Sequence, residues 1–243
     1  MQDKPRFAVV TGANRGIGRA VTERLVTDGY HVAGCTRTPS DELNELLDQD
    51  QGHLVVPLDL SDEASISAAA RTVLGWSKQI NALVNCAGIA SGGLFSMTRM
   101  DDLRELYQIN TFGPLFFTQY LARAMVRSQH GAIVNIGSTA GLLGDPGTMA
   151  YGGSKAALMH ATRVLASELG GSGIRVNAIA PAVVETDMAQ QMQPEARAEL
   201  DARSHLPGTI LVEDVAATVA FLVSDQSSKL TGQIVRLDRG MPF

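Results

Sequence analysis

The sequence has little cysteine, no long apolar run and no cluster of basic residues, and each absence excludes a class of protein. Its two cysteines, Cys35 and Cys86, form no CxxC pair and have no histidine cluster nearby, so they predict neither a zinc site nor a disulfide framework. The longest apolar stretch, VAATVAFLV, is far too short to span a membrane. A net charge of -5, spread along the chain, argues against nucleic-acid binding.

The N-terminal segment MQDKPRFAVVTG has only a short apolar run and does not resemble a signal peptide. Two small thiols in apolar surroundings are typical of buried cysteines in a reducing compartment. We therefore expect a cytoplasmic protein that holds no metal ion and contacts neither membrane nor nucleic acid.

Strand-like and helix-like segments alternate along the 243 residues. About six helical stretches are present, and those that follow Ser40 and Ser61 are predicted to begin with these serines as N-caps. The strands are nearly all apolar, which is typical of a parallel sheet covered on both faces. We predict one doubly wound, Rossmann-type α/β domain over residues 1–243, with a seven-stranded parallel sheet and helices on both faces. The predicted strands are RFAVVTG, YHVAGCTR, HLVVPLDL, NALVNCAG, GAIVNIGS, GIRVNAIAP and GQIVRLD.

Residues 183–211 interrupt this alternation, because they are polar, rich in Met and Gln and only weakly periodic. A long irregular insertion in a single domain is usually a lid or a binding loop. We predict a substrate lid, in which Met188, Met192 and Leu206 supply apolar side chains for packing or for a substrate wall.

A glycine-rich turn, TGANRGIG, joins the first strand to the first helix. Glycine there permits a tight turn and the close approach of a pyrophosphate, whose charge lies over the helix N-terminus. A purely structural turn is the alternative, since the spacing is wider than GxGxxG. Small or polar residues at the other strand ends favour a dinucleotide ligand. We assign its binding to Gly12, Asn14, Arg15, Gly16, Ile17, Gly18, Leu60, Asn85, Ala87 and Gly88.

The end of the second strand indicates which dinucleotide is bound. An acidic residue there would bind the ribose hydroxyls of NAD, whereas this chain has Thr36 and Arg37, with Arg15 in the glycine turn. Two guanidiniums suit a 2′-phosphate, so we predict NADP(H), with solvated surface arginines as the alternative. Asp59 is predicted either to meet the adenine amino group or to cap the helix that follows.

The segment YGGSK places Tyr151 and Lys155 on one face of a helix that two glycines weaken. A phenol has a pKa of about 10, which a nearby cation lowers towards the working range of a proton donor. An exposed tyrosine beside a solvated lysine is the alternative. Ser138, at a strand end, and Asn110, within an apolar helix, add a hydroxyl for a substrate oxygen and an amide that could hold water or a lysine.

Taken in order, TGANRGIG, NCAG, Asn110, Ser138 and YGGSK resemble the short-chain dehydrogenases/reductases over essentially the whole chain. The resemblance implies that Tyr151 is the general acid, that Lys155 binds the nicotinamide ribose and lowers the tyrosine pKa, and that Ser138 orients the carbonyl. Asn110 would maintain a proton relay. In PAVVETDM, it implies nicotinamide contacts from Pro181, Val184 and Thr186.

Within that family the chain is most similar to 3-oxoacyl-[acyl-carrier-protein] reductases, on GIRVNAIAPAVVETDM, VAFLVSD and LTGQIVRLDRGM. That likeness implies NADPH-dependent reduction of a 3-oxoacyl group on acyl carrier protein or coenzyme A, in a homotetramer or a homodimer. Gln129 and Ser167 stand where such enzymes often have arginine. A reductase or dehydrogenase for another small ketone or alcohol, or a non-catalytic dinucleotide sensor, is the alternative.

The resemblance also implies a reason for the two glycines of YGGSK. It predicts that the helix packs against its counterpart across a two-fold axis and lies beside the cofactor. On this hypothesis, Gly152, Gly153 and Ala156 leave room where larger side chains would collide.

Overall fold

The computed structural model describes residues 5–187, 189 and 194–242. Their chain forms one seven-stranded parallel sheet in the order β3-β2-β1-β4-β5-β6-β7, which confirms the predicted fold class. The strands are β1 (Arg6–Thr11), β2 (Tyr30–Thr36), β3 (Leu54–Pro57), β4 (Ala82–Asn85), β5 (Gly131–Ile136), β6 (Ile174–Pro181) and β7 (Ile234–Leu237).

Helices cover both faces of the sheet, as its apolar strands require. The described helices are α1 (Gly16–Thr27), α2 (Asp41–Leu46), α3 (Glu63–Trp76), α4 (Met100–Tyr107), α5 (Gly113–Ser128), α6 (Met149–Gly170), α7 (Pro194–Ala202) and α8 (Val212–Val223). One apolar core packs α1 and α8 on the sheet, with Leu25 and Val219 fully buried. The other packs α3 and α5, with Ile66 and Phe117 fully buried.

Two predicted helix starts have different outcomes. Ser40 is the N-cap of α2, since its side chain accepts a hydrogen bond from Leu43 N, so that prediction is confirmed. Ser61 does not cap α3: the N-cap is Asp62, whose carboxylate accepts from Ala64 N. Strand β3 ends at Pro57, so residues 58–61 form a turn and the helix begins two residues after Ser61.

The predicted irregular segment 183–211 contains a nine-residue helix, α7. Its sequence, PEARAELDA, begins with proline at the first helical position and is rich in good helix formers. Met188 and residues 190–193, among them Met192, lie outside the described residues. No helix in the described part of the chain is long and apolar enough to cross a membrane.

Candidate active site

The order of the strands opens a crevice between the carboxyl ends of β1 and β4, where the direction of winding reverses. Thr11, fully buried at the end of β1, accepts hydrogen bonds from Cys86 N and Ala87 N, both at 3.0 Å. The two loops are so close that a Cβ on Gly12 would lie 2.9 Å from the Cα of Ala87. The glycine is therefore required both by this approach and by its φ of +72°.

The glycine turn leaves the N-terminus of α1 open to a ligand. Its N-cap, Arg15, makes no side-chain capping bond, so the first backbone N–H groups are available to an anion. Gly18 lies against Gly12, where a Cβ would be 2.1 Å from the Gly12 oxygen. Asn14 uses its side chain differently: its Oδ1 accepts from Ser40 N and its Nδ2 donates to Thr38 O, which ties the turn to the loop after β2.

Arg15 and Arg37 are both exposed beside this turn. Within the described residues, neither guanidinium forms a salt bridge or a hydrogen bond. Arg37 is near enough to Asp59 to lower the pKa of its carboxyl, but hydrogen bonds from Ser61 are the larger cause. Asp59 Oδ1 accepts from Ser61 N at 2.8 Å and from Ser61 Oγ at 2.6 Å. Asp59 thus stabilises the turn before α3, with Asp62 as the helix cap.

Ser138 and Tyr151 meet at the carboxyl end of β5. Ser138 follows the strand, and its hydroxyl accepts from Ala140 N at 3.2 Å. Tyr151 lies in the first turn of α6 and is partly buried. Burial raises the pKa of Tyr151, and the hydrogen bond with the Ser138 side chain offsets only part of that rise. The phenol therefore stays protonated at neutral pH.

Lys155 lies one turn further along α6 and is 5% exposed. Its Nζ donates to the Ile136 carbonyl at 2.9 Å. Burial lowers the pKa of Lys155 from 10.5 to about 8, with the neighbouring Cys86 acting in the opposite direction. In this structure the group that lowers the pKa of Tyr151 is Ser138, through its hydrogen bond, and the effect of Lys155 on that pKa stays a prediction. Burial disfavours the charged form of both side chains, the phenolate of Tyr151 and the ammonium group of Lys155.

Asn110 is fully buried in a π-helical segment, Gln108–Phe112, between α4 and α5. Its Oδ1 accepts from Ile89 N at 2.9 Å, while its Nδ2 donates to Ile89 O at 2.9 Å and to Ser154 Oγ at 3.0 Å. Its protein partners are thus the Ile89 backbone and the Ser154 hydroxyl. It fixes the loop after β4 to α6, close to Gly88, where an added Cβ would lie 3.0 Å from Asn110 Oδ1 and 3.2 Å from Lys155 Nζ.

The glycines of YGGSK have partners within the chain. A Cβ on Gly152 would lie 2.3 Å from the Ala140 carbonyl oxygen, and one on Gly153 would lie 2.6 Å from the Tyr107 hydroxyl. Both glycines therefore let α6 approach the turn after Ser138 and the end of α4. Their presence needs no second subunit to explain it.

The chain matches known proteins over nearly its whole length. Residues 12–242 match the family model described as enoyl-(acyl carrier protein) reductase. The chain is 32% identical to the 3-oxoacyl-[acyl-carrier-protein] reductase FabG of Salmonella typhimurium, with 99% of each chain covered. It is 33% identical to FabG of Thermotoga maritima, again over 99% of each chain. A short-chain type dehydrogenase/reductase from Mycobacterium ulcerans has a similar structure, with a TM-score of 0.89, 31% identity and coverage of 99% of this chain and 90% of that one.

The chain belongs to the short-chain dehydrogenase/reductase family. It is accordingly an oxidoreductase that acts on an alcohol or carbonyl group. Its Rossmann-type fold implies a nicotinamide cofactor. The residues of this structure fit such a group, because the uncapped start of α1 and the glycine turn form a cradle, and the turn is so tight that a Cβ on Gly12 or Gly18 would collide with Ala87 or with the Gly12 oxygen.

The segment after β6 reaches the same cradle. Val184 is 6% exposed and forms a bridge with Ile210. A Cβ added to Gly16 would lie 3.5 Å from Thr186 Cγ2. In this dehydrogenase/reductase, Thr186 therefore lies beside the start of α1. Pro181, the last residue of β6, is buried. Of the other predicted contacts, Ile17 and Leu60 pack in the two apolar cores on opposite faces of the sheet.

Among the described residues, three ion pairs fix the segment that follows β6, which we call the rim of the site. Arg203, after α7, pairs with Asp145 at 2.9 Å, which joins the segment 183–211 to the loop between β5 and α6. Arg239 pairs with Asp201, and Arg197 pairs with Glu185. These arginines are therefore engaged inside the chain.

Sequence reasoning missed Thr11, Ser154 and Thr111 as structural partners of the site. Thr111 Oγ1 donates to Ser154 O at 2.9 Å and Ser154 Oγ donates to Tyr151 O at 2.7 Å. The sequence signal for these residues was their position alone: Thr11 precedes Gly12, Ser154 lies between Tyr151 and Lys155, and Thr111 follows Asn110.

In the described part of the chain, no group of three His, Cys, Asp or Glu side chains could hold a metal ion. Burial raises the pKa of both thiols, Cys35 and Cys86, to about 12.

Proposed function

We propose that this protein is an NADPH-dependent carbonyl reductase that reduces a 3-oxoacyl thioester. The observation that carries the proposal is the convergence of Ser138, Tyr151 and Lys155 at the carboxyl end of β5, beside the glycine cradle. The substrate class is supported by likeness to the FabG reductases over 99% of the chain.

In this mechanism Tyr151 is the general acid. When bound, the reduced nicotinamide supplies a hydride to the carbonyl carbon. The Tyr151 hydroxyl donates its proton to the carbonyl oxygen, so the C=O bond becomes CH–OH and a phenolate remains. Because burial raises the pKa of Tyr151, the proton is present at neutral pH before the reaction. Ser138 orients the carbonyl oxygen and then hydrogen-bonds the phenolate, which regains a proton from solvent.

Lys155, one helical turn after Tyr151 on α6, assists both the cofactor and the tyrosine. Its amine, directed by the Ile136 carbonyl, has further N–H groups for the nicotinamide ribose. Its pKa of about 8 leaves it largely protonated at neutral pH, and a cation one helical turn away stabilises the phenolate as it forms. Asn110 contributes by holding the loop after β4 against α6 in the proton relay region.

Arg15 and Arg37 support NADP(H) over NAD(H). Both are exposed at the end of the sheet where an adenosine ribose would lie, and both lack ion-pair partners among the described residues. A 2′-phosphate accepts charge-assisted bonds from two such groups. We further propose that residues 183–211 cover the substrate, and that the enzyme is a cytoplasmic homotetramer or homodimer whose substrate is carried by acyl carrier protein or coenzyme A.

The test is NADPH oxidation, followed by absorbance, with acetoacetyl thioesters as substrates. We expect turnover that the Tyr151→Phe variant loses by at least about 100-fold, with unchanged binding of NADPH. Full activity of that variant would overturn the assignment of Tyr151. Tight NADPH binding with no turnover of any ketone or thioester would instead support a dinucleotide sensor.

One observation favours a second substrate class, a small free ketone or alcohol. Gln129 and Ser167 are exposed where an arginine would serve carrier docking, and the rim arginines Arg197, Arg203 and Arg239 are engaged in internal ion pairs. Faster turnover of simple ketones than of acetoacetyl thioesters would favour this candidate.

A further inference from the structure

Four buried polar side chains form a continuous hydrogen-bonded chain behind the site. Asn85, at the end of β4, donates from Nδ2 to Thr118 Oγ1 on α5 at 2.9 Å and to Asn135 Oδ1 on β5 at 2.8 Å. Asn135 donates from Nδ2 to Thr162 Oγ1 on α6 at 2.9 Å. Each of the four is at most 2% exposed. We call Thr118, Asn85, Asn135 and Thr162 the polar chain.

The polar chain ends on the helix that carries Tyr151 and Lys155. Thr162 is two turns beyond Lys155, on the same face of α6. Its hydroxyl accepts from Asn135 and donates to Leu158 O at 3.0 Å, so both of its hydrogen-bonding roles are used. Asn135 directly precedes Ile136, whose carbonyl receives the Lys155 amine.

Two side-chain hydrogen bonds join β5 to α6 within the described chain, and they differ in kind. One is Lys155 to Ile136 O, made by an amine whose charge changes with pH and which the proposed function also assigns to the cofactor. The other is Asn135 to Thr162, between two neutral side chains that are at most 1% exposed. Only the second keeps its strength whatever the protonation state of the lysine.

We propose that Asn135 and Thr162 are positioning residues for the reduction. Their hydrogen bond fixes the position of α6 relative to β5, and this places Lys155 and Tyr151 beside Ser138. This inference rests on the proposed function. Neither side chain touches the reacting atoms. A helix that shifts by a fraction of an ångström misplaces the proton donor, and a misplacement of about 1 Å can cost 100-fold in rate.

The chain offers a matched pair of variants. Thr162→Val removes the hydroxyl that Asn135 reaches on α6, whereas Thr118→Val removes an equally buried hydroxyl from the other end of the polar chain, on α5. Both replace a hydroxyl by a methyl group of similar size. We expect similar losses of thermal stability from both, but a loss of about ten-fold in kcat from Thr162→Val alone.

The pH profile separates positioning from a merely structural role. If α6 sits less closely on β5, the Lys155 amine gains solvent and its pKa moves upward towards its ordinary value. The pH profile of kcat should therefore shift to higher pH in Thr162→Val and stay in place in Thr118→Val. Thr162→Ser, which keeps the hydroxyl, should restore both kcat and the profile. Should Thr162→Val not fold, Thr162→Ala takes its place.

An unchanged kcat and pH profile in Thr162→Val, or equal changes in both valine variants, would overturn the inference. The Tyr151→Phe variant is assayed beside them. If it is inactive while Thr162→Val behaves as wild type, the positioning inference alone fails. If Tyr151→Phe is fully active, the proposed function fails and takes this inference with it.

Discussion

Replacing Gly153 by alanine tests why α6 contains a glycine between Tyr151 and Lys155. The added Cβ would lie 2.6 Å from the Tyr107 hydroxyl oxygen, well inside contact distance, but 3.6 Å from the ring carbon that bears it. Overpacking of this kind costs about 1–3 kcal/mol. Alanine is the better helix former and returns about 1 kcal/mol. In the wild-type background we therefore expect a net loss of up to about 2 kcal/mol of unfolding free energy.

Removing the hydroxyl reverses the sign of that effect. In Tyr107→Phe protein the nearest remaining atom is the ring carbon at an ordinary contact distance, so the helix propensity of alanine acts without a collision. Gly153→Ala should then stabilise the protein by up to about 1 kcal/mol. The coupling between the two substitutions should be about 1–3 kcal/mol.

The assay is urea unfolding of the four proteins of this double-mutant cycle, at one protein concentration, with molecular mass measured in parallel. The contradicting result is equal destabilisation by Gly153→Ala with and without the Tyr107 hydroxyl. If the molecular mass also falls in both alanine variants, Gly153 lies at a subunit interface, as the sequence resemblance implied.

Three other measurements address the charged groups. Lys155→Met should be more stable than wild type at about pH 7 and should lose that advantage by about pH 10. The folded-state pKa of Lys155, about 8, lies below its ordinary value of 10.5. Between these two pH values unfolding of the wild type takes up a proton, so the stability of the wild type rises with pH. A pH-independent difference in urea unfolding would contradict this. Arg37→Ala should raise KM for NADPH about ten-fold and leave KM for NADH unchanged, with Arg24→Ala, an exposed arginine elsewhere on the surface, as the control; equal effects on both cofactors would refute the 2′-phosphate argument. Arg203→Gln should change KM for the thioester while moving unfolding free energy by less than about 1 kcal/mol, as expected for a partly exposed ion pair, and Asp145→Asn should match it if the pair, and not one charge, is responsible.

The N-caps of the helices could be predicted from the local sequence only in part. The N-cap at Ser40 was predictable because a serine before an acidic first turn has few competing partners. The same pattern was misleading at Ser61, since Asp62, the next residue, is an equally good cap and Asp59 instead binds Ser61. The choice between neighbouring caps depends on where β3 leaves the sheet.

The chemistry of the site shows a different limit. The i and i+4 spacing brings Tyr151 and Lys155 onto one face of α6, and that follows from helix geometry alone. The pKa of each side chain does not follow from helix geometry, because desolvation is the largest cause of both pKa shifts. Burial is a property of the assembled domain, so the sequence predicted which side chains share a helix face but not their protonation behaviour.

The sequence by itself determined the alternation of apolar strands and amphipathic helices, and the glycine turn after β1, because these depend on periodicity and on backbone conformations that neighbouring residues dictate. Only the tertiary structure decided that Asn110 holds the loop at Ile89, that Gly153 faces Tyr107, and that Asn135 reaches Thr162. Those partners are many residues apart along the chain, and a polar side chain bonds whichever group the packing of the sheet and its helices brings within about 3 Å of it.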